Sequence, residues 1–152
     1  MAKQRDAIRM DDAEVGAFLE ECKTLQVSTL DARGAPHLTT VWFAWHNGTF
    51  LFETYGKSQK VVNLRRDPRI AVLCEKGETY DQLRGASVQG RAEIVDAGER
   101  LLELMKLVVQ RNHAGMTVDQ LARIAGEMAE KRVVIVVVPD KIISWDHRKV
   151  AR

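Results

Sequence analysis

The feature that most constrains this chain is the stretch from Leu25 to Thr54, where strand-like alternation runs through two turns. Leu25-Gln-Val-Ser-Thr-Leu30 alternates apolar and polar residues, and Asp31-Ala-Arg-Gly34 supplies a turn whose glycine accepts positive φ. A second strand is expected from His37 to Trp45. His46-Asn47-Gly48 then favours a tight hairpin turn, and Thr49-Phe-Leu-Phe-Glu-Thr54 returns. Three antiparallel strands in succession predict a meander.

The remaining pattern adds strands at both ends of a few helices. Asp11 and Asp12 can cap a short helix with Val15, Phe18 and Leu19 on one apolar face. Ser58 is placed to cap a helix over Gln59 to Arg66, whose apolar residues are Val61, Val62 and Leu64 and which Asp67-Pro68 closes. Ile70 to Cys74 reads as a buried strand. Ala86 to Val95 alternates, and Gly90 within it predicts a bulge or the close approach of another group. Helical spacing returns over residues 98 to 112 (Leu101, Leu104, Met105, Val108) and between Val118 and Glu130. Val133 to Val138 and Ile142 to Trp145 predict two more strands, separated by Pro139-Asp140. Six or seven mostly consecutive strands with three or four helices favour a mainly β (α+β) fold, an antiparallel barrel with peripheral helices, over a βαβ repeat.

Size and charge narrow the functional classes. At 152 residues the chain is expected to form one domain, residues 1–152. Its net charge of +2 is too small to predict long-range attraction to a polyanion, so no nucleic-acid partner is expected and any basic site must be local. Val133 to Val138, the longest apolar run, falls short of the roughly 20 residues a membrane span requires. The N-terminal MAKQRDAIRMDD is charged throughout, which predicts a cytoplasmic protein with no membrane partner. Cys22 and Cys74 have no metal-ligand or redox spacing and are expected to be buried thiols. His37, His46, His113 and His147 form no metal-ligand pattern, and no metal site is expected.

Chemistry concentrates in Thr54-Tyr55-Gly56-Lys57-Ser58-Gln59-Lys60, where a strand ends, a glycine allows a sharp turn, and a helix begins between two lysines. The unpaired N–H groups and dipole of a helix start, with Lys57 and Lys60 alongside, suit a phosphate. The plainer alternative is a Ser58 cap flanked by solvated lysines. The glycine spacing is not that of a Walker loop. In Leu38-Thr39-Thr40-Val41-Trp42-Phe43 adjacent hydroxyls meet adjacent aromatics, so the strand can offer backbone groups and hydroxyls to a flat heteroaromatic ring. Core aromatics with threonines chosen for β propensity are the alternative.

The run from Phe52 to Lys60, followed by Asn63-Leu64 and Asp67-Pro68-Arg-Ile-Ala-Val72, resembles the pyridoxamine 5'-phosphate oxidase-like FMN-binding split barrels. The order of elements fits that superfamily from about residue 11 to 147. The lysine at the first helical turn and the ending Ile143-Ser-Trp-Asp-His-Arg148 look most like the deazaflavin branch, which uses coenzyme F-420. The resemblance implies an antiparallel split barrel that binds the cofactor phosphate through Ser58, Gln59 and Lys60, with Lys57 as a neighbour. It places the ring along Leu38 to Phe43, with Thr54 adjoining. It also implies a homodimer with sites at the interface, where Tyr80, Gln82 and Trp145 reach the partner's cofactor; Trp145 as an ordinary core or interface aromatic is the alternative. Two positions depart from the oxidase proper: Gln59 stands for its usual arginine, and Leu38 for a phosphate-binding arginine. Both weaken an FMN phosphate clamp and argue against pyridoxamine phosphate oxidation. The deazaflavin resemblance implies an F-420-dependent reductase acting on a conjugated or quinone-like small molecule. An FMN-dependent oxidoreductase of the same fold, or a non-catalytic flavin or haem binding protein, is the alternative.

Overall fold

The computed structural model describes residues 4–151. Seven antiparallel strands form one curled sheet in the order β2-β1-β5-β6-β7-β4-β3. They are β1 (Thr24–Leu30), β2 (Pro36–Trp42), β3 (Ala44–His46), β4 (Thr49–Tyr55), β5 (Arg69–Lys76), β6 (Arg84–Val95) and β7 (Arg132–Asp146). Five α-helices surround it: α1 (Gln4–Ala7), α2 (Asp12–Glu21), α3 (Gln59–Arg66), α4 (Gly98–Asn112) and α5 (Val118–Ala129). The architecture is the expected split barrel with peripheral helices. The helix count rises by the one-turn α1, too short for an apolar period to mark.

The expected strand from His37 to Trp45 is two strands. Phe43 and Ala44 are both buried, so the inward-outward alternation fails between them and the chain changes direction. β2 then pairs only with β1, from Thr24↔Trp42 to Leu30↔Pro36, whereas β3 pairs with β4. The expected meander is therefore two separate hairpins. β4 takes β7 as its second neighbour, through Phe50↔Val137 to Tyr55↔Arg132.

The separation expected at Pro139-Asp140 is also corrected, because β7 runs unbroken through both residues. The ladder absorbs the proline, which has no N–H to donate, by shifting register between Gln89 and Gly90, opposite Pro139. Gly90 is required there: an added Cβ would lie 2.4 Å from the Val138 carbonyl oxygen. The bulge expected at this glycine is present.

Two apolar clusters hold the elements. Inside the barrel, Leu25, Val27, Phe43, Phe50, Phe52, Val72, Val88 and Ile135 pack with Val15, Phe18 and Leu19 of α2. Asp11 caps α2 in a reciprocal box: its carboxylate accepts from the Glu14 N–H at 2.8 Å, and the Glu14 carboxylate accepts from the Asp11 N–H at 2.7 Å. Cys22 and Cys74 are free and buried in this core. Outside the barrel, Leu101, Met105, Val108 and Val109 of α4 and Ala125 of α5 cover Leu51, Val134 and Val136.

Replacing Gly90 by Ala should destabilise the protein by about 1–3 kcal/mol, since a Cβ there meets backbone rather than a movable side chain. Urea denaturation measures this. A midpoint equal to that of the parent protein would show that the strand pair relaxes freely at the bulge.

Candidate functional site

Because β2 has no second neighbour, one side of its backbone is left without ladder partners. Facing it across the split is β4. A cleft of about 370 Å³ lies between them, lined by Thr24, Thr40, Val41 and Trp42 on one wall and Glu53, Thr54 and Arg132 on the other. Residues on both faces of the β1–β2 edge hold unpaired polar atoms. Gln26 Oε1, His37 Nδ1 and Thr39 Oγ1 are buried without a hydrogen-bond partner among the described residues.

The far wall continues into the start of α3. Ser58 occupies the N-cap position with extended backbone, but its side chain makes no capping bond. Its hydroxyl accepts instead from Thr54 Oγ1 at 3.3 Å. The expected Ser58 cap is thus corrected to a Thr54–Ser58 pair, and no side chain among the described residues satisfies the first N–H groups of α3. Lys57 is exposed, whereas Lys60 is partly buried and makes no ion pair among the described residues. Burial holds the Lys60 ammonium below its usual pKa, and the nearby Glu53 carboxylate opposes that shift. Uncapped N–H groups, paired hydroxyls and an unneutralised ammonium make a surface suited to a phosphate.

Gln59 turns away from that surface. Its amide Nε2 donates to Asn63 Oδ1 at 2.8 Å, and Asn63 Nδ2 donates to Thr29 Oγ1 at 3.0 Å. Asn63 is fully buried, so this relay ties the helix to β1. Of the apolar residues of α3, Val61 and Leu64 are buried and Val62 is half-exposed.

The matched family model is that of pyridoxamine 5'-phosphate oxidase, over residues 11–146. The chain belongs to this family. A conserved hypothetical protein, Rv2991 from Mycobacterium tuberculosis, is 43% identical, with a TM-score of 0.90 over 98% of this chain and 92% of that one. A structure described as an F420 reductase is 26% identical, with a TM-score of 0.59 over 83% of this chain and 93% of that one. A FAD-binding protein from Mesorhizobium loti shares the fold, at 15% identity and a TM-score of 0.62 over 89% of this chain and 91% of that one. No match was found among curated proteins.

The site residues implied by the oxidase-family resemblance are brought together in part. Thr40, Val41, Trp42 and Thr54 line the cleft, and Lys57, Ser58 and Lys60 stand at the end of the strand that carries Thr54. Phe43 does not reach the cleft, because its ring is buried against Phe50 with centroids 5.8 Å apart. Leu38 is 68% exposed and outside the lining, while Thr39 points to the opposite face from Thr40. Tyr80 and Gln82 sit in a 3-10 turn at the tip of the β5–β6 hairpin and do not line the cleft of their own chain. Tyr80 packs edge-on against His147, centroids 4.5 Å apart. Trp145 lies over Gly85, where an added Cβ would come within 2.1 Å of the indole.

Sequence reasoning missed Glu53 and Arg132. Arg132 Nη1 donates to Glu53 Oε2 at 2.6 Å, and its guanidinium carbon lies 3.9 Å from the centre of the Tyr55 ring. A charge directly after Phe50-Leu51-Phe52 is a usable signal for Glu53. Nothing local marks Arg132, which reaches Glu53 only through the β4–β7 register. Among the described residues, no group of three or more His, Cys, Asp or Glu could hold a metal ion, and no helix is long and apolar enough to cross a membrane.

Asn63→Ala should lower stability by about 1–3 kcal/mol, because it leaves the Thr29 hydroxyl and the Gln59 amide without their partner. Thermal unfolding of the cofactor-free protein reports this, and an unchanged melting temperature would contradict a structural role for the relay.

Proposed function

We propose that this protein is an oxidoreductase that uses reduced coenzyme F-420 to deliver a hydride to a conjugated or quinone-like small molecule. The observation that carries the reading is Lys60, a partly buried ammonium without an ion-pair partner among the described residues, beside the uncapped start of α3. A cofactor phosphate there would restore the solvation that burial removes. Lys57, Lys60, Ser58 and the first N–H groups of α3 hold the phosphate, with Gln59 as their neighbour. The nearby Glu53 carboxylate is paired to Arg132.

The free edge of β2 offers backbone donors and acceptors to the rim of a heteroaromatic ring, as the oxidase-family resemblance implies for Leu38 to Phe43. Trp42, 50% exposed, adds a flat apolar surface, and Thr40 and Thr54 add hydroxyls. The choice of F-420 over FMN is supported by Gln59 and Leu38 in place of the oxidase arginines, and by the 26% identical structure described as an F420 reductase. A neighbouring pocket of about 500 Å³ gives space for the acidic extension that F-420 carries and FMN lacks; Lys57, Lys131 and Arg132 line it, as do the carboxylates of Asp96 and Glu130.

When bound, the reduced deazaflavin supplies the hydride from C5 to an electron-poor carbon of the acceptor. The chain's own contribution is to orient the ring along β2, fix the phosphate end and exclude water from the cleft. A homodimer completes the reading: Leu38, Tyr80 and Gln82 lie outside their own cleft, and Tyr80, Gln82 and Trp145 would contribute to the partner's site.

Fluorescence titration with F-420 and with FMN should show tighter binding of F-420. Replacing Lys57 and Lys60 together by Ala should weaken it by more than about tenfold, the scale of lost charge-assisted bonds. Conjugated acceptors should then oxidise the reduced coenzyme catalytically. Unchanged affinity in the double variant would sink the phosphate assignment. Tighter FMN binding would favour the flavin-dependent alternative, and binding without turnover a carrier role.

A further inference from the structure

No strand hydrogen bonds join the two walls of the cleft, since β2 and β4 are not neighbours in the sheet. What spans them instead is α4. Its buried face, Leu101, Met105, Val108 and Val109, is rooted on Leu51 of β4 and on Val134 and Val136 of β7, the strands that carry the far wall. The last residues of that helix reach the other wall. Arg111 Nη2 donates to the Glu20 carbonyl and, at 3.1 Å, to the Cys22 carbonyl, just before Thr24 enters the cleft lining. Asn112 Nδ2 donates to the Val108 carbonyl at 2.8 Å and to the Phe43 carbonyl at 3.4 Å, just after Trp42 leaves that lining.

His113, the next residue, places its ring edge-on against Trp42, with centroids 5.8 Å apart and planes at 64°. Lys23 Nζ stands 5.8 Å from the centre of the same indole. Trp42 is thus oriented by contacts from outside its strand while half of its surface remains open.

We propose that Arg111, Asn112 and His113 are positioning residues that set the width of the cleft and the pose of Trp42, and so decide how well a planar ring is accepted there. The inference rests on the reading of this cleft as a ring site. The strap works because one end is fixed by apolar burial and the other by directional bonds to backbone carbonyls, which hold position more tightly than contact alone. His113 adds orientation: an edge-to-face ring restrains the indole plane.

The test uses the full chain carrying Asn112→Ala, His113→Ala or His113→Phe. Trp42 emission is isolated by difference from Trp42→Phe, and acrylamide quenching is measured without ligand; F-420, FMN and inorganic phosphate are then titrated. Both Ala variants should expose Trp42 to the quencher and weaken the wild type's preferred ring cofactor by about fivefold or more, the scale of one lost contact. His113→Phe should restore the orientation, and phosphate affinity should stay at the wild-type value in every variant. Folded Ala variants with unchanged Trp42 quenching overturn the proposal, as does a Phe variant as impaired as the Ala one. If His113→Ala does not fold, Asn112→Ser carries the same comparison. A wild-type protein that binds neither ring cofactor defeats the ring-site reading, and the strap is then judged on Trp42 quenching alone.

Discussion

Phe43 imposes the constraint on which the rest of the structure depends. It joins β2 to β3, and these two strands lie at opposite edges of a seven-stranded sheet. A flat sheet cannot place its two edges one residue apart, so the sheet must curl until they meet. Burial of the Phe43 ring in the barrel core, against Phe50, holds that junction closed. The barrel is therefore closed by covalent chain at one point and by no ladder along the rest of the seam. Everything beside the seam inherits unpaired backbone and a gap.

That gap explains why polar chemistry gathers where it does. A complete ladder would have consumed the β2 edge, and a side-chain cap on α3 would have consumed its first N–H groups. Neither occurs, and Thr54, Ser58 and Lys60 border the resulting opening. The Arg132–Glu53 pair lies against the same opening with both partners mostly buried, and the Tyr55 ring covers the guanidinium. Removing one partner alone would leave a charge without its counterion, so the pair fixes the character of that wall rather than simply adding to stability.

How much of this the sequence revealed follows the range of the interactions. Helix α4 and the α3 boundaries were legible because apolar spacing and the Asp67-Pro68 stop act within a turn or two. Gly90 announced its bulge because only a residue without a Cβ tolerates the Val138 carbonyl at that distance. The break at Phe43 was not legible: a run of β-prone residues carries no mark of which sheet edge it belongs to. Pro139 misled for the related reason that the ladder absorbs its missing N–H by leaving Asp140 unpaired opposite the Gln89–Gly90 step of β6, a partner set only by the fold. In the site, Lys60 and Thr54 could be read from a contiguous motif. Arg132, Asn112 and His113 could not, since their partners lie in distant segments and meet them only in the folded chain.

The order of the strands also bears on when the cleft comes into being during synthesis. β1 and β2 can pair as soon as they emerge, and β3 with β4 likewise, because each pair is joined by a short turn. β4, however, finds its other neighbour only in β7, the last strand of the chain, which also carries Arg132. A nascent chain thus holds Lys57 and Lys60 long before β7 brings Arg132 to the wall that β4 begins. Closing that long loop is the entropically expensive, late event expected to limit folding. A ligand selective for the finished cleft would bind only chains in which β7 has docked, and by mass action would draw the folding equilibrium toward completion.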